Sequence, residues 1–360
     1  MSEQTAVTGP KRGIRKIEIV GLFLVGISLA CLILKPAFIA GVFNAMLDKS
    51  YPIIVKVFLT GKVGVAIIIS VLIGRILERL GFTDALMRIF LPVTRLIGVN
   101  SAVLVPSVYN ILGDINAAGR IAGPILVKAG ATRSEQKMAI CTMVQSQQSF
   151  STFMFCLIAL TAAGAKVFVV ILLSVFAPLV LVPLLMKHTL WRDARPVPLE
   201  EMPSFTPDTG FLPTIFGAAR EGAELLFLLI IPAVGVIFAL IGALEYVGVW
   251  KPMEEGLTAL LSAFSIHPET GIVSILASPT LATAQLKEAA ATLPPNLVIG
   301  SVVLAASGFP LSVIFGQIPA IWSEATDLNH REAMGAAALG AGMRLLTAGA
   351  VATFLAPLLL

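Results

Sequence analysis

Residues 101–127 read SAVLVPSVYNILGDINAAGRIAGPILV. The stretch is long enough to cross a bilayer, for which about 20 helical residues suffice, yet it makes a poor span. It holds Pro106, Asn110, Gly113, Asp114, Asn116, Gly119, Arg120, Gly123 and Pro124. Two short apolar arms flank a polar centre, Asn110 to Asn116. The pattern predicts a helical hairpin that enters and leaves a membrane by one side. Irregular backbone of this kind is tolerated at membrane depth only where it is buried in protein or lines a wet cavity.

Working outward, the segments on both sides are membrane-like. Residues 137–162 form a span with a polar knot, Gln145-Ser146-Gln147-Gln148-Ser149, followed by Ser151 and Thr152. Residues 167–185 are almost purely apolar and read as a plain span. On the other side, residues 82–96 place Phe82, Leu86, Ile89, Phe90, Val93 and Ile97 at helical spacing with Asp84, Arg88 and Arg95 between them. That is an amphipathic helix in the interface plane. Before it, residues 53–80 read as a span, and residues 17–34 as an earlier one behind Lys11, Arg12, Arg15 and Lys16. The basic start resembles a leader, but no small-residue cleavage site closes it, so a retained span with a cytoplasmic N-terminus is expected.

The same order recurs. After a proline-containing connection at 187–211 come a span at 223–247 and an amphipathic stretch at 250–264. A second short-armed segment, 270–291, is centred on Ser278-Pro279-Thr280. A span at 295–322 is broken at Ser307-Gly308-Phe309-Pro310 and again at Gln317 and Pro319, and a last span covers 333–360. The expected fold is an all-α integral membrane protein of two inverted repeats. Each repeat has an interfacial helix, a re-entrant helical hairpin, a broken span and a plain span, giving about seven full spans plus two hairpins. The organisation is 1–52 for the cytoplasmic N-terminus and first span, and 53–187 for the first repeat with its hairpin at 101–127. A cytoplasmic linker follows at 188–212, then the second repeat at 213–360 with its hairpin at 270–291.

Composition supports this class. The chain of 360 residues is 57% hydrophobic and only 13% charged, against about 25% charged in soluble domains. Mean hydropathy is +0.93. The net charge of +4 is small, and no basic run suggests nucleic acid. Position matters more: Arg75, Arg79, Arg88, Arg95, Arg120, Lys128, Arg133 and Lys137 flank the first hairpin. The corresponding region of the second half has only Lys251 and Lys287 against Glu254, Glu255, Glu269 and Glu288. Positive-inside bias then puts the first hairpin in the cytoplasm and the second outside. Cys31, Cys141 and Cys156 lack CxxC spacing, and His188, His267 and His330 do not cluster, so no metal site is expected. No phosphate loop or nucleophile elbow is present, and no enzyme is expected.

Candidate site residues follow from polarity at depth. Five consecutive polar residues, Gln145 to Ser149, cannot share one face of a helix; they unwind it, line a cavity, or bond other helices. Ser278, Thr280, Thr283, Gln285, Ser307 and Ser312 form the matching set in the second half. Asp114 is the carboxylate placed deep in the first half. It is suited to bind a cation, carry a proton or hold a polar solute, or else to cap the second hairpin arm. Asn110 and Asn116 add amides beside it. Arg220, Glu221 and Glu224 read as a solvated helix start, Gly335 to Gly342 as a close-packing surface, and Arg344 as a deep charge in need of a partner.

The run from Pro106 to Arg120 together with the Gln145–Ser149 knot resembles membrane proteins with the nucleoside-recognition GATE domain. The order of parts is similar to concentrative nucleoside transporters, over about residues 61–360. The resemblance implies a secondary transporter in the inner (plasma) membrane. It would move a small polar or amphipathic, nucleoside-like organic solute by alternating access, coupled to Na⁺ or H⁺, with no other cofactor. It places Asn110, Asn116, Gln145, Gln147, Gln148 and Ser149 on the nucleobase side of the site and Ser278, Thr280, Ser307 and Gln317 opposite, on the ribose side. Asp114, Asn110 and Ser146 would serve ion coupling. The partners implied are lipid and solute, and a symmetric dimer or trimer, as in similar transporters. The broken span at 295–322 departs from the family in having no carboxylate before Glu324. Rival expectations are a non-transporting subunit of a membrane complex, an iron-type metal permease and a passive channel.

Overall fold

The computed structural model describes residues 15–146 and 149–360, and every regular element among them is helical. Five of these helices are long and apolar enough to cross a membrane: α1 (Lys16–Leu34), α2 (Pro36–Leu59), α9 (Val167–His188), α10 (Phe211–Tyr246) and α16 (His330–Leu359). A sixth crossing is formed if the bent pair α11 (Trp250–Ala263) and α12 (Pro268–Leu276), which meet at 113°, counts as one. The chain is therefore a multi-pass membrane protein.

The helix α2 was not legible in the sequence, which placed a span at 53–80. The break falls instead at Thr60–Gly61, where the Thr60 N–H turns back to the Val55 carbonyl and Gly61 is extended. Helix α3 (Lys62–Arg79) follows, and α2 and α3 together run antiparallel along the whole of α10. The contacts fix the direction. Phe38 packs edge-on against Tyr246, Lys49 pairs with Glu245 at 2.8 Å, and the Ser50 hydroxyl donates to the Gly235 carbonyl. Farther along, Ile68 meets Gly222 and Arg75 pairs with Glu221. A Cβ at Gly242 would lie 2.3 Å from the Ala45 carbonyl oxygen. Such glycines let the two rods approach backbone to backbone. Residues 36–79 thus advance once along α10 rather than folding back.

Helix α4 (Phe82–Ile97) lies between two glycines in the left-handed region, Gly81 and Gly98, and the Lys187 ammonium donates to its last carbonyl, Ile97. The first hairpin follows as α5 (Val105–Tyr109) and α6 (Ile115–Lys128), broken over residues 110–114. Then come α7 (Arg133–Gln145) and α8 (Phe150–Ala162), two helices where the sequence predicted one span with a polar knot. In the second half, α12 and α13 (Pro279–Ala289) form the second hairpin, with its break at Ala277 and Ser278. Helices α14 (Pro295–Ala305) and α15 (Ile318–Ala325) flank the second break. The second hairpin arms pack crosswise: α6 rests on α15, and α13 rests on α8.

Four wide π turns share one cause. Leu172–Phe176, Leu225–Ile230, Val313–Gln317 and Val351–Leu355 each end two residues before a proline: Pro178, Pro232, Pro319 and Pro357. A proline ring removes one N–H and crowds the carbonyl four residues back, and the wider turn moves that carbonyl aside. At Pro178 the carbonyl in question is Ser174. It accepts from the Arg344 guanidinium at 2.7 Å, and the other fork of Arg344 reaches the Ala306 carbonyl at 2.6 Å, where α14 ends. The partners that the sequence left unnamed for this fully buried arginine are therefore backbone carbonyls freed by a proline and by a helix break.

The linker at 189–210 has no helix, but it is pinned. The Asp84 carboxylate accepts from the Phe205 and Thr206 N–H groups and from the Ser204 and Thr206 hydroxyls. Burial pushes the Asp84 carboxyl up, but these hydrogen bonds outweigh it and hold it below the ordinary carboxylate range. A carboxyl depressed in the folded state stabilises above its unfolded value, and that contribution is lost as pH falls through the folded value. Acidification through that range, or Asp84→Asn at neutral pH, is expected to expose 203–209 to proteolysis. Unchanged cleavage in both experiments would show that Asp84 does not hold the strap.

Candidate functional site

The hairpin tips decide the site. The first tip, Leu112 to Asn116, turns on Asp114, whose Oδ1 accepts from the Asn116 N–H at 2.6 Å and caps α6. The second tip turns on Ser278, whose hydroxyl accepts from the Leu281 N–H and caps α13. Ser149 caps α8 in the same manner, through Thr152. Three helix starts thus converge, each ended by a short polar side chain that satisfies its own first turn.

Between them lies a cavity of about 1110 Å³, its open mouth included. Asp114, Asn116, Ser149, Ser151, Ser278, Thr280, Ser312 and Gln317 supply its polar lining. Leu112, Ile115, Phe150, Pro279, Pro310 and Val313 supply apolar surface from the same segments, and Leu225, Leu229 and Val234 of α10 close one side. The two halves touch here through hydroxyls. Thr152 Oγ1 and Thr280 Oγ1 are 2.9 Å apart, and Ser149 Oγ lies 3.3 Å from Thr280 Oγ1. A concave, mostly apolar pocket with a few convergent polar groups is the usual form of a small-molecule site.

No family model, curated protein or solved structure matches this chain.

Of the residues singled out from the sequence, Asp114, Asn116, Ser149, Ser278, Thr280 and Gln317 line the cavity. Asn110, Gln145, Ser146 and Ser307 are fully buried beside it and do not appear in its wall. The Asn110 amide donates to the Ser146 hydroxyl at 3.2 Å, and that hydroxyl donates to the Met143 carbonyl. The Gln145 amide donates to the Gly340 carbonyl of α16. Ser307 donates to Leu304. Gln147 and Gln148 lie outside the described residues. Among the described residues, Asn110 Oδ1, Gln145 Oε1 and the Ser107 hydroxyl are buried without a hydrogen-bond partner. No group of three or more His, Cys, Asp or Glu side chains among them is placed to hold a metal ion.

Sequence reasoning missed Ser70, Arg75 and Glu221, which also line the cavity. Glu221 was read as part of a solvated helix start. Arg220 and Glu224 do pair with each other on the surface, but both oxygens of Glu221 turn inward to the Nε and Nη2 of Arg75. The only advance signal was that Arg75 and Glu221 each sit in the first helix of their half.

Proposed function

We propose that the protein is a secondary transporter for a small polar or amphipathic organic solute, nucleoside-like in size and chemistry, working by alternating access. The observation that carries this is the convergence of two hairpin tips and two span breaks on one cavity. Discontinuous helices meeting at an inter-repeat site are a recurring architecture of such transporters. The apolar surface of Leu112, Ile115 and Phe150 suits a flat ring, and the hydroxyls and amides of Ser278, Thr280 and Gln317 suit a polyhydroxyl group.

Two inverted repeats account for the packing. Helices α6 and α13 are equivalent second hairpin arms, and each rests on the other half's helix after its break. Asp114 and Asn116 correspond to Ser278 and Thr280. The plain spans share a local match, Ala177-Pro178-Leu179 with Ala356-Pro357-Leu358, preceded by Ser174 and Thr353. Each broken span and the α2–α3 rod then count as single crossings, giving seven in all. Basic residues around the first hairpin favour a cytoplasmic N-terminus and an inner-membrane location.

Coupling to Na⁺ fits the neutral oxygens of Asn110, Gln145, Ser107 and Ser146, since hard cations take oxygen ligands. Asp114, facing the cavity, is the group that would carry a proton instead. A thermal-shift measurement on detergent-purified protein tests the site. A nucleoside is expected to raise the melting temperature, because a ligand that binds only the folded state stabilises it by mass action. With Na⁺ coupling, the shift depends on Na⁺ and the dependence disappears in Asn110→Ala. With H⁺ coupling, it depends on pH and the dependence disappears in Asp114→Asn. No shift with nucleosides, nucleobases or amino acids would sink the solute site and favour a non-transporting membrane subunit.

A further inference from the structure

A second cavity, of about 670 Å³ with open solvent included, lies beside the first. Its walls are Arg75, Glu78, Phe205, Pro207, Thr209, Pro213, Thr214, Gly217, Ala218 and Glu221. Arg75 and Glu221 belong to both cavities. The order along the two antiparallel helices shows what this means. On α3, Ser70 and Val71 face the central cavity and Glu78 faces the second. On α10, Leu225 and Leu229 face the central cavity and Gly217 and Ala218 face the second. The ion pair therefore stands at the boundary on both helices.

The pair is well made for a barrier. Nε and Nη2 of Arg75 take both oxygens of Glu221, and Nη1 takes Glu78, so the guanidinium fork is held on two sides. Bidentate Arg–carboxylate contacts are directional and short-ranged, so a small separation of α3 from α10 breaks both bonds together. The outer cavity is covered by the linker, which is tied down by Asp84 at 204–206 and by Arg79 at the Thr209 carbonyl.

We propose that the outer cavity is the vestibule through which solute exchanges between the central cavity and the linker side, and that Arg75 and Glu221 form the gate between them. The gate rests on reading the central cavity as a solute site. Its opening needs the Arg75–Glu221 contact to part while Arg75 keeps Glu78, which leaves the guanidinium paired throughout. The linker strap then sets how far α10 can move away from α3.

Thiol accessibility tests the gate without any substrate. The full chain carries Cys31→Ser, Cys141→Ala and Cys156→Ala, plus Ser70→Cys as the reporter in the central cavity. It is reconstituted in vesicles of bacterial polar lipid, with a membrane-impermeant maleimide added from the linker side. Modification of Ser70→Cys is expected to be slow with the pair intact and faster by about tenfold or more with Glu221→Gln, in keeping with the loss of a charge-assisted contact. The exchanged pair, Arg75→Glu with Glu221→Arg, combined with Glu78→Gln to remove the second carboxylate beside position 75, is expected to restore slow modification. Thr214→Cys, on the vestibule side, should react equally fast in all backgrounds, which separates gating from misfolding. An unchanged Ser70→Cys rate in Glu221→Gln, with Thr214→Cys normal, would overturn the gate. So would modification of Ser70→Cys from the opposite side alone in the Glu221→Gln background. Because no solute is used, a positive result with no uptake of any solute would remove transport and leave the gate. Uptake with an unchanged rate would do the reverse.

Discussion

Glu135→Ala is expected to lower stability by on the order of 3 kcal/mol or more, since it strips a buried acceptor from three backbone donors. The carboxylate is 1% exposed. Its Oε1 accepts from the Asn100 N–H at 3.0 Å and the Arg195 N–H at 2.9 Å, and its Oε2 from the Thr132 N–H at 2.9 Å. Those donors belong to the start of the first hairpin, the linker and the start of α7. One side chain therefore joins three segments far apart in sequence, and the buried Asn100 N–H in particular has no water to turn to once the carboxylate is gone. The next bond depends on the same junction: the Ser101 N–H donates to the Val197 carbonyl at 2.9 Å. In detergent, Glu135→Ala should show a lower melting temperature and early proteolytic cleavage within 189–210. Glu135→Gln, which keeps one carbonyl acceptor of the same reach, should fall between. A melting temperature and cleavage pattern like those of the parent protein would show that the junction is held by something else.

Gly300→Ala is the second large effect expected, at about 1–3 kcal/mol or more from overpacking against backbone. A Cβ at this position would lie 2.3 Å from the Ser265 carbonyl oxygen and 2.9 Å from the Ala352 Cβ. The carbonyl has little room to yield. Ser265 already holds the left-handed backbone at φ 53°, and the next residues are fixed by the Ile266 N–H on Leu261 and the His267 N–H on the Ser301 hydroxyl. This is the corner where α11 turns into the first arm of the second hairpin. Displacing it should weaken ligand-induced stabilisation as well as lower the melting temperature. Gly342→Ala is the matched control, because a Cβ there meets nothing within 4 Å. Equal melting temperatures for the two variants would contradict the close packing of α14 on that corner.

The helix breaks were legible because lipid leaves few choices. A run of apolar residues interrupted by Asn110, Gly113 and Asp114, or by Ser307, Gly308 and Pro310, cannot continue as a lipid-facing helix. The same reasoning pointed to Asp114, Ser149, Ser278 and Thr280, which the fold brings to one cavity. What stayed hidden depended on partners distant in sequence. Asp48, Lys49 and Ser50 look like a loop until Glu245 and Gly235 are seen across from them. The charges of Arg75 and Glu221 sit near helix ends, where a solvated position is the ordinary expectation, and only the antiparallel register of α3 on α10 turns them toward each other. Arg344 had no acidic partner to find, because its partners are carbonyls. Pro178, four residues beyond Ser174, was the one trace of them in the sequence.

Uptake into proteoliposomes tests transport through the central cavity most directly. The protein, reconstituted with an imposed inward Na⁺ or H⁺ gradient, would be offered radiolabelled nucleosides. Thr280→Trp, which fills the cavity between the two hairpin tips, would be measured in parallel. Accumulation above protein-free vesicles that collapses with the driving gradient and is lost in Thr280→Trp is the predicted result. Uptake that equilibrates without a gradient would indicate a passive channel. Binding in the cavity with no uptake, or uptake that Thr280→Trp leaves intact, would contradict transport through this site.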